Sequence, residues 1–237
     1  MAMPTQLNKR KMIREHVTGK TFVDVGGLWG TKGEMVTTAA AGGASALTMA
    51  DVQPLGNMWW QKFEAWCAEK EVTGCQELNV DICDPQSTAT IGTYDMVHCA
   101  GVMYHVADLF QFVSNLVSVT REYLVLSSVV MPDEMQTSAG NLTFGPDHAY
   151  LSPVLAGDNK AVVLQYLADH NLTAGGLNQD APYFADGKPR TGPWWWLFSG
   201  SFMANVVRLH DMEVMAEGAT PNGLGYTVFA RLNNPKN

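Results

Sequence analysis

The sequence predicts a single α/β domain with a seven-stranded, mainly parallel sheet covered by helices on both faces. Short apolar, β-branched segments alternate with helical patterns through the first 130 residues, which is typical of parallel strands joined by crossover helices. Two last strands, predicted over 212–217 and 225–232, flank a short turn at 221–223, so they are expected to be antiparallel. With 237 residues and 46% hydrophobic composition, the chain can bury one sizeable core.

The first five strands are predicted, in order, over 21–25, 46–51, 76–82, 94–100 and 123–130. Helices are predicted between them over 32–41 and 57–70, and after Asp108, an N-cap candidate with Gln111 three residues on. One face of the helix over 57–70 carries Trp59, Phe63, Trp66 and Cys67. We expect these aromatic residues, together with Met58, to belong to the core.

Residues 133–193 interrupt this alternation. Clusters of Gly, Pro, Asp and Asn surround one helical segment near 160–170. Connections this long are uncommon in compact domains and usually serve as lids or binding loops. We therefore expect a lid inserted after the fifth strand, followed by a helix that begins after Ser199 or Ser201.

The overall charge argues against polyanionic partners. The chain has 15 basic and 23 acidic residues, a net charge of -8, which disfavours nucleic acid and membrane surfaces. A basic run, Lys9, Arg10, Lys11 and Arg14, is predicted to be the solvated face of an N-terminal helix.

The spacing of the four cysteines indicates neither a disulfide framework nor a metal site. No apolar run suits a signal peptide or a membrane span, so a cytoplasmic protein is expected. The oligomeric state stays open.

The strongest local motif is Phe22-Val-Asp-Val-Gly-Gly-Leu-Trp-Gly30. A strand that ends in a glycine turn before a helix lets backbone approach a ligand closely. The glycine spacing differs from the GxGxxG of dinucleotide enzymes. Asp51 ends the second strand, where a carboxylate can accept both hydroxyls of a ribose, and Asp81 lies at the end of the third strand, at the same edge of the sheet.

Together these segments resemble the class I, Rossmann-like methyltransferases that use S-adenosyl-L-methionine. The matching segments are 23–30, Asp51, Val80-Asp81-Ile82 and 94–105, and the resemblance covers roughly residues 18–132 and 194–232. It implies methyl transfer from S-adenosyl-L-methionine to an acceptor. One departure is Leu28, which stands where the family often has a glycine.

The resemblance also implies which residues bind the cofactor. Those expected at its methionine end are Asp24, Gly26, Gly27 and Gly30, with Asp24 bonding in or near that moiety. Those expected along the nucleoside are Asp51 for the ribose, Asp81 for the adenine amino group, Ile82 against the ring, and Ala100 and Gly101 beneath the cofactor. Trp29 and Tyr104 are candidates for aromatic neighbours of the cationic sulfur.

A closer similarity concerns the acceptor. The segment Gly101-Val-Met-Tyr-His105, with Trp194, Trp195 and Trp196, is similar to the tRNA wobble-uridine carboxymethyl transferases. The chain shows neither the extra N-terminal portion nor the basic surface of that branch, so a small-molecule acceptor is expected. The alternatives are a tRNA-modifying methyl or carboxymethyl transferase, a non-catalytic cofactor-binding protein and an NAD-dependent dehydrogenase.

Residues for catalysis and for the acceptor are expected above the sheet edge. His105 follows the fourth strand, where it can serve as a general base or as a packing residue. Tyr104, His148, Tyr183 and Trp195 are predicted to contact the acceptor. Three adjacent tryptophans cannot all be buried on one face of a regular element, so at least one should line a pocket or cap the lid. His98, within the fourth strand, is predicted to be structural.

Overall fold

The computed structural model describes residues 6–29, 33–173, 175–177, 182–190, 192–221 and 223–235. The helices are α1 (Lys9–His16), α2 (Glu34–Ala41), α3 (Met58–Glu69), α4 (Pro85–Thr88), α5 (Leu109–Ser118), α6 (Gly157–Asp169) and α7 (Gly200–Arg208). The strands are β1 (Thr21–Val25), β2 (Ala46–Asp51), β3 (Gln76–Asn79), β4 (Tyr94–Ala100), β5 (Thr120–Val129), β6 (Glu134–Thr137), β7 (Gly140–Thr143), β8 (Ala149–Leu151), β9 (Phe184–Ala185), β10 (Lys188–Pro189), β11 (Trp196–Phe198), β12 (Met212–Ala219) and β13 (Gly225–Leu232).

Seven strands form the central sheet in the order β12-β13-β5-β4-β1-β2-β3. The pairs among β1 to β5 are parallel, whereas β13 lies antiparallel between β5 and β12. This confirms the prediction of a seven-stranded, mainly parallel sheet with an antiparallel last strand. The chain winds outward from β1 in one direction through β2 and β3 and in the other through β4 and β5. A crevice is expected at such a switch point, beyond the carboxyl ends of the strands.

Side chains of the central strands alternate between two apolar layers. Val23 and Val97 pack on the face that α5 and α7 cover, and Phe22 and Met96 pack with residues of α1, α2 and α3. In α3 the buried residues are Trp60, Phe63 and Cys67, while Trp59 and Trp66 are half-buried. The expectation that Met58 belongs to the core is wrong, since it is 55% exposed. The helix turns Trp60 toward the sheet instead.

Residues 133–193 contain more regular structure than the sequence pattern predicts. They include the hairpins β6–β7 and β9–β10, the helix α6, and β8, which pairs antiparallel with β11. Five of their residues share an apolar cluster with residues that flank the segment: Met131, Met135, Val162, Val163, Leu167, Leu177, Trp194 and Leu197. None of the helices in the described ranges is both long and apolar enough to cross a membrane.

Candidate functional site

A cleft of about 1020 Å³ lies at the carboxyl ends of the central strands. It extends from Val52 and Asp81, after β2 and β3, to Val129 and Leu224, beside β5 and β13. The cleft therefore occupies the switch point between β1 and β4, where the topology places ligand sites in open α/β sheets.

The glycine turn after β1 brings backbone to the cleft. Gly26 has a φ of +74°, and a β-carbon there would lie 2.5 Å from Cγ2 of Val102. A β-carbon at Gly27 would clash with the Asp24 carboxylate and come within 2.9 Å of Cε of Met49. Both positions therefore require glycine. Gly26 lines the cleft and Gly27 packs behind it. Gly30 and the predicted turn residue Asn222 lie outside the described residues.

Asp24 is placed beneath this turn and not in the cleft. It is 1% exposed, and its Oδ1 lies 2.7 Å from Nδ1 of His98, on the neighbouring strand β4. Burial lowers the pKa of His98 against the opposing effect of Asp24. His98 is buried within the sheet, and its structural role stays a prediction, because its Nε2 is buried without a hydrogen-bond partner in the described part of the chain. Asp24 supports the turn from below, a placement that differs from the ligand contact that the family resemblance implied.

The Asp51 carboxylate is fixed at the cleft wall by backbone. Its Oδ2 accepts the N–H of Leu28 at 3.3 Å, and its Oδ1 accepts the N–H of Gln53 at 3.0 Å. Leu28 acts here through its backbone, so a side chain in place of the family glycine does not disturb the contact. Burial raises the pKa of Asp51, and these backbone hydrogen bonds counter that rise. Each oxygen keeps further lone pairs for a ligand.

Asp81 is positioned in the same way beyond β3. Its Oδ1 accepts the N–H of Cys83 at 2.9 Å, and its own N–H donates to Oγ of Ser87 at 3.0 Å. Strand β3 ends at Asn79, shorter than predicted, and the Asn79 amide donates to the carbonyls of Val52 and Gln53. The loops after β2 and β3 are thereby joined. Asp81 and Ile82 both line the cleft.

Ala100 and Gly101 form the floor of the cleft where β4 ends. Gly101 has a φ of +74°, and its N–H donates to the carbonyl oxygen of Ser127 at 3.0 Å. Small residues here keep the middle of the cleft open.

His105 and Tyr104 line the other end of the cleft, on a 3₁₀ turn at Met103–His105. Nδ1 of His105 lies 3.2 Å from the carbonyl oxygen of Pro193. A carbonyl only accepts, so Nδ1 carries the proton and Nε2 keeps its lone pair. Burial lowers the pKa of His105, with the backbone carbonyls of Pro193 and Gly192 opposing this effect. The Tyr104 ring packs on both neighbours, 4.2 Å from His105 and 4.4 Å from Trp194 between ring centroids.

The other predicted acceptor residues do not line the cleft. Trp195 is 5% exposed, and its indole N–H donates to the carbonyl of Arg190 at 2.9 Å. Its ring centroid is 5.0 Å from that of Tyr183. The buried His148 has Nδ1 2.8 Å from the carbonyl oxygen of Gly145. Neither these three residues nor Trp194 and Trp196 line the cleft. Trp194 instead packs in the apolar cluster that residues 133–193 share with their flanking residues, so the alternative that a tryptophan caps the lid stays a prediction.

The sequence pattern missed the N-terminal residues of the site. Residues 7–10 line the cleft, with Lys9 partly buried, whereas Lys11 and Arg14 are exposed as predicted. One sequence feature could have indicated this position. Leu7 is apolar and directly precedes Asn8, the N-cap of α1, and an apolar residue at that position typically packs the start of a helix against its surroundings.

Trp29 lines the cleft and is 58% exposed. Within the described ranges, no group of His, Cys, Asp or Glu side chains is placed to hold a metal ion.

No protein-family model and no curated protein matches the sequence. Solved structures match over most of the chain. Magnesium protoporphyrin IX methyltransferase from Synechocystis PCC 6803, with bound S-adenosylhomocysteine, has a TM-score of 0.55 at 13% identity, covering 96% of this chain and 88% of that one.

Two further structures are similar. The mitomycin 7-O-methyltransferase MmcR has a TM-score of 0.52 at 13% identity, covering 90% of this chain and 49% of its own. An O-methyltransferase family protein from Burkholderia thailandensis has a TM-score of 0.58 at 11% identity, covering 96% and 56%. The chain thus spans about half the length of these two proteins. The sheet order, the cleft at its switch point and these similarities agree that the chain has the fold of the class I S-adenosylmethionine-dependent methyltransferases.

Proposed function

We propose that this protein transfers a methyl group from S-adenosylmethionine to a small-molecule acceptor. The observation that carries the proposal is the position of the Asp51 carboxylate, which accepts two backbone N–H groups. It lies beside the turn at Gly26 and Gly27, where a side chain on either residue would clash with its neighbours. A carboxylate at the end of the second strand suits the two vicinal hydroxyls of a ribose, as in other nucleotide-binding α/β folds.

The residues of the cleft fit this cofactor. A cleft of about 1020 Å³ is at the upper end of the range for small-molecule sites and leaves space for a second ligand. Gly26 would hold the amino-acid end, Asp51 the ribose, and Asp81 with Ile82 the adenine, above Ala100 and Gly101. Gly27 would act indirectly, by letting the turn pack on Asp24. When bound, S-adenosylmethionine supplies an electrophilic methyl group on a cationic sulfur.

His105 would accept the proton that the acceptor loses. Nδ1–H donates a hydrogen bond to the carbonyl oxygen of Pro193, which leaves the Nε2 lone pair free for this role. Burial lowers the pKa of His105 and so keeps the imidazole neutral, the form that a base needs. Contact with the Tyr104 ring restrains the orientation of the imidazole.

Alignment of the acceptor and exclusion of water would account for the rest of the rate, and residues 133–193 are suited to provide both. The apolar cluster that they share with Met131, Trp194 and Leu197 contacts Tyr104, so the proposed lid adjoins the acceptor end of the cleft. Roles for His148, Tyr183 and Trp195 in acceptor contact stay predictions. The net charge of -8 favours a small acceptor over a polyanion.

Isothermal titration of the wild-type protein tests the proposal. S-adenosylmethionine and S-adenosylhomocysteine should each bind with a dissociation constant in the micromolar range. NAD should give no heat, because the glycine spacing lacks the pyrophosphate fingerprint. Binding of NAD without binding of either sulfur ligand would contradict the assignment and favour a dehydrogenase.

A further inference from the structure

Residues 7–10 are held along the cleft at both ends. The N–H of Leu7 donates to the carbonyl of Ala219, at the end of β12, at a distance of 2.9 Å. The guanidinium of Arg10 pairs with Glu34, the first residue of α2, at 2.6 Å. Lys9 lies between these two ties and lines the cleft together with Gly26.

Within the described ranges, Lys9 differs from the adjacent Arg10 and Lys11 because it has no ion-pair partner. Arg10 pairs with Glu34 and Lys11 with Glu15, but no carboxylate in the described part of the chain lies within 4 Å of the Lys9 amine. The acid that acts on it most strongly, Asp24, already binds His98. Burial lowers the pKa of Lys9, with Asp24 opposing this effect.

A partly buried ammonium without a counter-charge is unfavourable, and a bound anion would relieve the cost. The turn amides of α1 do not provide an alternative anion site, because the Asn8 side chain already accepts the N–H groups of Arg10 and Lys11. The ligand proposed for this cleft carries one carboxylate, on the amino-acid end that Gly26 would hold.

We propose that Lys9 binds the amino-acid carboxylate of the ligand and so distinguishes ligands that carry this group from nucleosides that lack it. This inference rests on the proposed function, because it presumes a ligand of that class. It assigns Lys9, which the sequence pattern placed on a solvated face, to the specificity of the site.

A comparison of two ligands separates the contribution of the carboxylate to binding from that of the nucleoside and thioether. S-adenosylhomocysteine carries the amino-acid group, and 5′-methylthioadenosine has the same nucleoside and thioether without it. Both are titrated into the wild type, Lys9→Met and the matched control Lys11→Met. Lys9→Met should weaken S-adenosylhomocysteine binding about tenfold to a hundredfold, as expected for a charge-assisted hydrogen bond, and leave 5′-methylthioadenosine binding unchanged. Lys11→Met should change neither.

Lys9→Gln provides a second variant that keeps a polar side chain without the charge, and thermal unfolding of each variant verifies that it is folded. Equal loss for both ligands, or no loss for either, would overturn the role of Lys9 while leaving the proposed function intact. If the wild type does not bind S-adenosylhomocysteine, the proposed function itself is contradicted.

Discussion

The two ends of the cleft differ in what holds their polar groups. At the end proposed to hold the nucleoside, Asp51 and Asp81 each accept a backbone N–H from a residue two positions further along the chain. At the end proposed to hold the acceptor, Nδ1 of His105 contacts the carbonyl of Pro193, 88 positions away in the sequence. Asp51 also accepts the N–H of Leu28, in the turn after β1. The first end is therefore fixed by backbone at the strand ends, whereas the second depends on how the segment that contains Pro193 is folded against the sheet.

This difference predicts that the ends can be impaired separately. The largest effect is expected for His105→Gln, which removes the proposed base. It should lower the rate at which the acceptor is methylated by about a hundredfold to ten-thousandfold. S-adenosylhomocysteine affinity, measured by titration, should stay within about twofold of the wild type. His170→Gln is the matched control, because His170 ends α6 with its Nδ1 on the Tyr166 carbonyl. Joint loss of turnover, cofactor affinity and thermal stability would make His105 a packing residue.

At the nucleoside end, Asp51→Ala should weaken S-adenosylhomocysteine binding by about tenfold to a hundredfold, because charge-assisted hydrogen bonds to the ribose are lost. Asp84→Ala is the control, since Asp84 also accepts a backbone N–H, from Gln86, but lies outside the cleft lining. An unchanged dissociation constant in folded Asp51→Ala would place the ribose elsewhere.

The pH dependence of the wild type sharpens the role of His105. Its pKa is lowered by burial from the ordinary value of 6.5, so protonation, which abolishes a base, requires a more acidic solution than usual. The acid limb of kcat/KM should therefore have its midpoint below pH 6.5 and fall about tenfold per pH unit beneath it. The limb should disappear in His105→Gln. A midpoint above pH 6.5 would contradict the burial of the imidazole.

The smallest effect is expected within the proposed lid. Oγ of Ser152 donates to the Trp194 carbonyl, so at its 3.2 Å contact with Tyr183 it accepts from the phenol. Tyr183→Phe should lower the free energy of unfolding by about 1 kcal/mol, measured by chemical denaturation, and leave S-adenosylhomocysteine affinity unchanged. Tyr150→Phe, at a 40% exposed site, is the control. Weaker cofactor binding in Tyr183→Phe would show that the two ends are not independent.

The same difference explains which parts the sequence predicts. Strand ends and the residues just after them follow from local patterns, so the positions of Asp51 and Asp81 at one edge of the sheet could be inferred. The Asp24–His98 contact requires knowing that β1 and β4 are neighbours, and the His105–Pro193 contact requires the path of residues 133–193. Neither of these two long-range contacts produces a periodic pattern of residues in the sequence.

Two further differences have local causes. The apolar face of α3 is rotated relative to the predicted one, because a helix this rich in aromatic residues offers several apolar faces and the sheet selects the one with Trp60. Lys9 belongs to a basic run that resembles a solvated surface, and the contacts of Leu7 with Ala219 and of Arg10 with Glu34 bring it to the cleft.

A crystal structure of the wild-type protein with S-adenosylhomocysteine tests the central claim most directly. The ribose hydroxyls should lie within hydrogen-bond distance of the Asp51 carboxylate, the adenine amino group should face Asp81, and the amino-acid end should lie against Gly26. Nε2 of His105 should face the space beyond the sulfur. A nucleoside bound away from Asp51, or outside the cleft at the carboxyl ends of β1, β2 and β4, would contradict the account.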